Sequence, residues 1–117
     1  MTYPILNTVP NNPLPFTWVI QYPEGGGIAG GRLSKNVTAL RIDAYVVGAT
    51  SATFNIEERT AIGIPGTNLV TDDLVATVTG VSTTTFTNAD LATGNWLWVD
   101  VSAVSGTPTQ LIITLTY

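Results

Sequence analysis

The stretch WLWVDVSAVSGTPTQLIITLTY, residues 96–117, decides how this chain is read. Over 96–104, Leu97, Val99, Val101 and Ala103 fall on one side of an extended backbone and Trp96, Trp98 and Asp100 on the other, because strand side chains alternate between faces. Residues 110–117 repeat the two-residue period, and SGTPT between them is turn chemistry of hairpin length. The expectation is a carboxyl-terminal β-hairpin with a five-residue loop. The face carrying Leu97, Val99 and Val101 should enter a core.

The same period recurs upstream. VTALRIDAYVV (37–47) sets Leu40, Ile42, Ala44 and Val46 against Arg41, Asp43, Tyr45 and Val47, a long half-buried strand. GATS turns the chain, and ATFNIEER (52–59) sets Ala52, Phe54 and Ile56 against Thr53, Asn55, Glu57 and Arg59, so the two runs read as hairpin neighbours. Leu14, Phe16, Trp18, Ile20 and Tyr22 mark another strand, which EGGG (24–27) ends in a glycine-rich loop. IGIPGTN (62–68) is a loop in which Pro65-Gly66 favours a turn with positive φ at the glycine. Two short strands are predicted near 74–79 and 82–87. TNADLATGN (87–95) allows one helical turn at most, from an Asn88 N-cap to a stop at Gly94. About eight short strands spaced by turn residues make an all-β antiparallel protein: a β-sandwich, a jelly roll or a small barrel.

The chain has 117 residues, which suits a single hydrophobic core. Residues 1–13, rich in proline and asparagine, are expected to form an extended arm, and 14–117 the single domain. Only 10% of residues are charged against 44% apolar, and twenty threonines supply polar surface without charge, so the chain folds. Its net charge is −4, with Arg32, Lys35, Arg41 and Arg59 as its cations, too few to neutralise several phosphates; nucleic acid is not expected as a direct partner. The amino end lacks a signal-peptide pattern and no run is long enough to span a membrane, so no membrane partner is expected and the product should stay soluble in the cell that makes it.

Chemistry-bearing motifs are few. GGGIAG (25–30) satisfies G-x-G-x-x-G, but RLSKNVTALRID after it alternates as a strand, so no helix N-terminus is present to hold a pyrophosphate. As a Walker loop it fails, since Arg32 and Leu33 stand where lysine and Ser/Thr are needed. The chain has neither histidine nor cysteine, which removes catalytic triads, zinc sites and disulfides; no cofactor or metal is expected. Glu57 and Glu58 are adjacent on a strand and point to opposite faces, so they form no convergent dyad. A hydrolase working through Asp72, Asp73 or Glu58 is the weakest reading, a calcium site at Asp72-Asp73 lacks fixed spacing, and the sequon Asn36-Val37-Thr38 more simply serves a strand. The expectation is that the protein is not an enzyme.

The tryptophans remain. Trp96 and Trp98, at roughly 150–250 Å² each, would together rival the largest apolar patch of an ordinary monomer. Three covers are open: the chain's own loops or arm, a neighbouring subunit, or a sugar stacked on the indoles.

Two passages, TTTFTNADLATGNWLWVDVSAVSGTPTQLIITLTY (83–117) and KNVTALRIDAYVVGATSATFNIEER (35–59), resemble small β-sandwich domains of tailed-bacteriophage structural proteins. A strand ending in W-V-D-V, a G-T-P turn and an alternating last strand carry the likeness. It implies a jelly-roll-like sandwich and a non-enzymatic virion protein. In that family such chains are often capsid decoration, or cement, proteins that sit as homotrimers on the outer capsid surface and brace the major capsid protein. The family carries no residue motif that transfers position by position; from the sequence pattern, the interface is expected to use the Trp96, Trp98 and Asp100 face together with Tyr3, Pro4, Ile5 and Leu6 of the arm. The alternative is a carbohydrate-binding or receptor-binding domain of a tail fibre, with the two indoles as stacking platforms.

Overall fold

In a computed structural model the described residues are 15–117; the arm, with Tyr3, Pro4, Ile5 and Leu6, lies outside them. Among the described residues eleven strands form: β1 (Pro15–Gln21), β2 (Gly26–Arg32), β3 (Val37–Thr38), β4 (Arg41–Val47), β5 (Thr50–Arg59), β6 (Thr67–Asn68), β7 (Leu74–Thr77), β8 (Val81–Thr83), β9 (Asp90–Leu91), β10 (Trp96–Gly106) and β11 (Gln110–Thr116). The first sheet has the order β1-β11-β4-β8. The second runs β2-β10-β5, with β6 and β7 lying end to end along the far edge of β5. Short β3 and β9 pair apart from both.

The pairings are nested. β1 pairs β11, β2 pairs β10, β4 pairs β8 and β5 pairs β7, all antiparallel, as in one long hairpin rolled up so that successive pairs fall in opposite sheets. Two four-stranded sheets joined in this way are a jelly roll. The all-β, jelly-roll-like sandwich expected from the sequence is therefore what the chain adopts, with three small strands added to the eight principal ones.

Both expected hairpins are corrected. β4 and β5 are not bonded to each other, and neither are β10 and β11, since each pair is divided between the two sheets. A strand with one apolar face meets the same alternation whether its successor lies beside it or faces it across the core, so periodicity does not separate hairpin from crossing. The two crossings run side by side: Thr109 N–H donates to the Val47 carbonyl at 2.8 Å, and Gly106 pairs with Thr50. Gly106 has φ 74° and a Cβ there would press on the Thr50 backbone, which explains the glycine in SGTPT.

The expected strand 37–47 is also broken. β3 goes to β9, and the strand proper starts at Arg41, leaving Leu40 exposed while Ile42, Ala44 and Val46 face inward. No helical turn forms at 88–94; Asp90–Leu91 is a strand, and Gly94 keeps the left-handed conformation that a stop requires, with φ 86°. Gly66 does not take the positive φ expected of it. Its lack of a side chain matters instead because a Cβ would overlap the Glu58 carbonyl. Ala103 is exposed rather than inward, because a bulge after Val101 adds Ser102 and shifts the alternation, turning Val104 toward the core.

The core fills the space between the sheets. Trp18, Ile20, Ile42, Ala44, Val46, Leu111, Ile113 and Leu115 come from the first sheet, and Ala52, Phe54, Ile56, Ala76, Leu97, Val99 and Val101 from the second. All are buried, and area bookkeeping assigns about 1.5–3 kcal/mol to each large apolar side chain.

Candidate interaction surfaces

The glycine-rich run expected as a loop is strand β2, an edge of the second sheet bonded to β10. Glycines suit it for a packing reason. On the outer face a Cβ at Gly27 would overlap the indole of Trp98, and on the inner face a Cβ at Gly30, the bulged residue, would overlap the indole of Trp18. Each ring lies against bare backbone of the same strand. Alternation misses this because the residues that make β2 are chosen for what they lack.

Pairing builds the outer face of the second sheet row by row. Arg32, Trp96 and Arg59 stand abreast, then Ala29, Trp98 and Glu57, then Gly27, Asp100 and Asn55. The Arg59 guanidinium sits 4.1 Å from the ring centre of Trp98, and that of Arg32 5.8 Å from Trp96. A cation over an indole contributes about 0.5–2 kcal/mol, more as water is excluded. Arg59 is fixed by Nε to Glu57 Oε1 at 3.2 Å and by Nη1 to the Ile62 carbonyl at 2.6 Å; Arg32 Nε donates to the Gly94 carbonyl at 2.9 Å. Trp96, Trp98 and Asp100 are all half-buried. Much of the cover their rings require thus comes from the chain itself, and a sugar stacking on Trp98 would compete with Arg59.

Segment 62–73 roofs β5. Gly66 N–H donates to Glu57 Oε1 at 2.9 Å, and Asn55 Nδ2 donates to the Val70 carbonyl and to Asp73 Oδ1, both at 3.0 Å. Asp73 Oδ2 accepts from the Ser102 hydroxyl at 2.9 Å, so this carboxylate ties loop to sheet. Asp72 beside it is exposed. The buried polar face of β5, with Asn55 and Glu57, is thereby satisfied.

Glu58 points the other way, to the end of the sandwich, and organises segment 88–95. Its carboxylate accepts from Ala92 N–H at 2.7 Å, Asn95 Nδ2 at 2.9 Å and Asn88 Nδ2 at 3.0 Å. Burial is the largest single influence and raises its pKa, but the three hydrogen bonds together outweigh it and hold the carboxyl below the usual glutamate value. Nearby, Asn36 Oδ1 accepts from the Thr93 N–H and hydroxyl at 2.8 and 2.9 Å, and the Thr38 hydroxyl donates to Asp90 at 3.2 Å. The sequon residues thus fasten β3 to β9.

The first sheet's outer face is built differently. Val19, Ile112 and Tyr45 stand abreast on β1, β11 and β4, followed by Gln21, Gln110 and Val47. Val19 is 54% exposed, Tyr45 44% and Val47 41%. The charges on these three strands are Arg41 and Asp43, whose Nε and Oδ1 pair at 2.9 Å, and Asp43 stands in the row beside Tyr45. Exposed Val78 lines a shallow depression together with Tyr45. The sequence carries the signal for this patch in the mixed face of RIDAYVV, where Tyr45 and Val47 stand among polar residues.

No protein-family model matches the chain, and no curated protein matches it. Among solved structures it is similar to the SPBc2 prophage-derived protein YomS, at 13% identity and TM-score 0.32, over 89% of this chain and 96% of that one. It is also similar to the structure of infectious bursal disease virus Gx strain, at 14% identity and TM-score 0.30, over 92% of this chain but only 32% of the viral one. The chain therefore spans about a third of that viral chain's length.

Proposed function

We propose that this protein is a non-enzymatic structural component of a tailed-phage virion, a decoration protein on the outer capsid surface that braces the major capsid protein and associates with copies of itself as a homotrimer. The observation that carries this reading is the uncharged apolar row Val19–Ile112–Tyr45, continued by Val47, on the outer face of a jelly-roll sheet. Tyr22, Leu40, Ile64, Val75 and Val78 are exposed elsewhere, but this row joins adjacent strands into one contiguous apolar surface, which suits a contact. The likeness of residues 35–59 and 83–117 to phage structural sandwiches supplies the setting. Jelly rolls also serve lectins and enzymes, so the fold alone assigns no role. The tail-fibre alternative depends on indoles free to stack on sugars, and Arg59 already stacks on Trp98.

The deciding experiment adds purified chain to capsids that lack it, with mass measured by light scattering. Trimeric mass and saturable capsid binding are expected. A strict monomer that ignores capsids at micromolar concentration overturns the reading, and quenching of tryptophan fluorescence by a glycan would transfer it to the tail-fibre class.

A further inference from the structure

We propose that the open face of the first sheet is the seat of residues 1–14 from a second copy, so that the arm of one chain lies across Val19, Ile112, Tyr45 and Val47 of its neighbour. The inference rests on the self-association part of the proposed function and is independent of the capsid.

Four observations lead to it. The first is where the arm begins. Pro15 opens β1, an edge strand, at the end of the sheet where it pairs with Thr116 and thence Arg41, while the apolar row lies at the opposite end of the same strands. The second is direction. Prolines at 4, 10, 13 and 15 hold φ near the extended value, and each also restricts the residue before it to extended backbone. That restriction disfavours a tight reversal at Pro13-Leu14-Pro15, and a chain that does not reverse there is directed away from its own apolar row. Fourteen residues at about 3.1 Å each reach roughly 43 Å, far enough for a neighbouring copy.

The third observation is chemical match. Residues 1–14 contain no charged side chain, and Tyr3, Pro4, Ile5 and Leu6 form an unbroken apolar run near the outer end of the arm. The row they would cover is uncharged too, in a molecule whose net charge of −4 sets copies against each other elsewhere. The fourth is area. Three strands of seven residues, about 4.8 Å apart and rising about 3.3 Å per residue, make a face of roughly 300 Å² in plan. A stable interface needs about 800 Å² on each side, so two such faces pressed together fall short. An arm that wraps over the face adds its own surface, and its prolines reduce the ordering cost.

The absence of cysteine makes the test direct. Two single variants, Ile5→Cys and Tyr45→Cys, are prepared with different isotopic masses, mixed and oxidised mildly, and the disulfide-linked species are identified by mass. Both positions suit the purpose: Tyr45 is exposed, and Ile5 precedes the first strand. The expected product is the mixed pair, at least fivefold over either like pair, and deletion of residues 1–13 should lower the oligomeric mass. Dominance of the Tyr45→Cys like pair overturns the proposal in favour of face-to-face packing. An intrachain disulfide in the double variant overturns it in favour of the arm folding onto its own domain. Absence of any cross-link overturns it outright. Capsid binding is scored separately: an arm exchange that forms without capsid binding leaves this inference standing and removes the virion reading, and the reverse result does the opposite.

Discussion

The two outer faces of this sandwich begin from the same ingredient, large apolar side chains at alternate positions turned away from the core, and finish differently. On the second sheet Trp96 and Trp98 are stacked by Arg32 and Arg59, and Trp98 also rests on the bare backbone of Gly27. On the first sheet Val19, Tyr45 and Val47 remain open. The chain uses two of its four cations on one face and places none beside the apolar row of the other. An apolar residue on the outside is thus no sign of a contact surface until the neighbouring strands have been asked whether they cover it.

This contrast predicts unequal costs for removing the aromatic residue of each face. Trp98→Ala empties the space between Gly27 and Arg59 and leaves the guanidinium without its platform, so stability should fall by about 3 kcal/mol. Tyr45→Ala should cost no more than about 0.5 kcal/mol, as usual for an exposed site. Urea titration of both variants measures the difference, and equal costs would break the distinction between a closed and an open face.

The glycines of β2 sharpen it further. Gly27→Ala places a methyl group where the Trp98 indole lies, and with Arg59 holding that ring from above, the overlap should cost about 1–3 kcal/mol. Gly31→Ala on the same strand is the control. Its Cβ would meet Phe16 at an ordinary 3.5 Å, and stability should change by no more than about 0.5 kcal/mol. If both substitutions are tolerated alike, β2 is glycine-rich for some reason other than the tryptophans.

How much of this was legible in the sequence follows from what alternation encodes. It gives the strand state and the inward face, so Ile42, Phe54, Val99 and Ile113 were readable as core. It does not give the partner. The crossings at 48–49 and 107–109 therefore have the sequence pattern of hairpins, although the nested pairing of a jelly roll requires them to pass between sheets. Alternation also fails where a strand is made of glycine, as in β2, and where a bulge such as that at Ser102 resets the phase. Paired indoles mark one face within a single strand, whereas the open row on the other is assembled from single valine, isoleucine and tyrosine residues on three strands that only tertiary pairing brings together.

Glu58 tests whether the closed end of the sandwich is held as firmly as the closed face. In Glu58→Gln the side-chain amide places an NH₂ where one oxygen accepted from Asn88, or two donors from Ala92 and Asn95, so about 1.5 kcal/mol should be lost at neutral pH. The folded protein holds this carboxyl below 4.5, the value of a free glutamate, so the unfolded chain takes up the proton first on acidification. The stabilisation is then complete above about 4.5 and disappears as pH falls through the lower folded-state pKa. Denaturation midpoints measured from pH 7 down to pH 3 should converge for wild type and Glu58→Gln at the acid end; curves that stay parallel would show that the carboxylate charge contributes nothing there.

The smallest expected effect on stability carries the most about function. Tyr45→Lys exchanges an exposed ring in the middle of the open row for an ammonium whose stem covers the same ground while its charge stays in water. Nothing in the fold depends on the ring: its row partner Ile112 is held by the inward anchors Leu111 and Ile113 of the same strand, both fully buried. The folded chain should keep its stability to within about 0.5 kcal/mol. Asp43, in the adjacent row, is already paired with Arg41 at 2.9 Å, and residues 1–14 carry no charged side chain, so an apolar cover laid over the row would have to bury an added positive charge. Self-association should therefore fall by at least an order of magnitude in sedimentation at micromolar concentration, with the urea midpoint unchanged. A lysine that altered neither quantity would mean that the open face is merely tolerated, and the asymmetry between the two sheets would then reflect only where the chain could place its glycines and arginines.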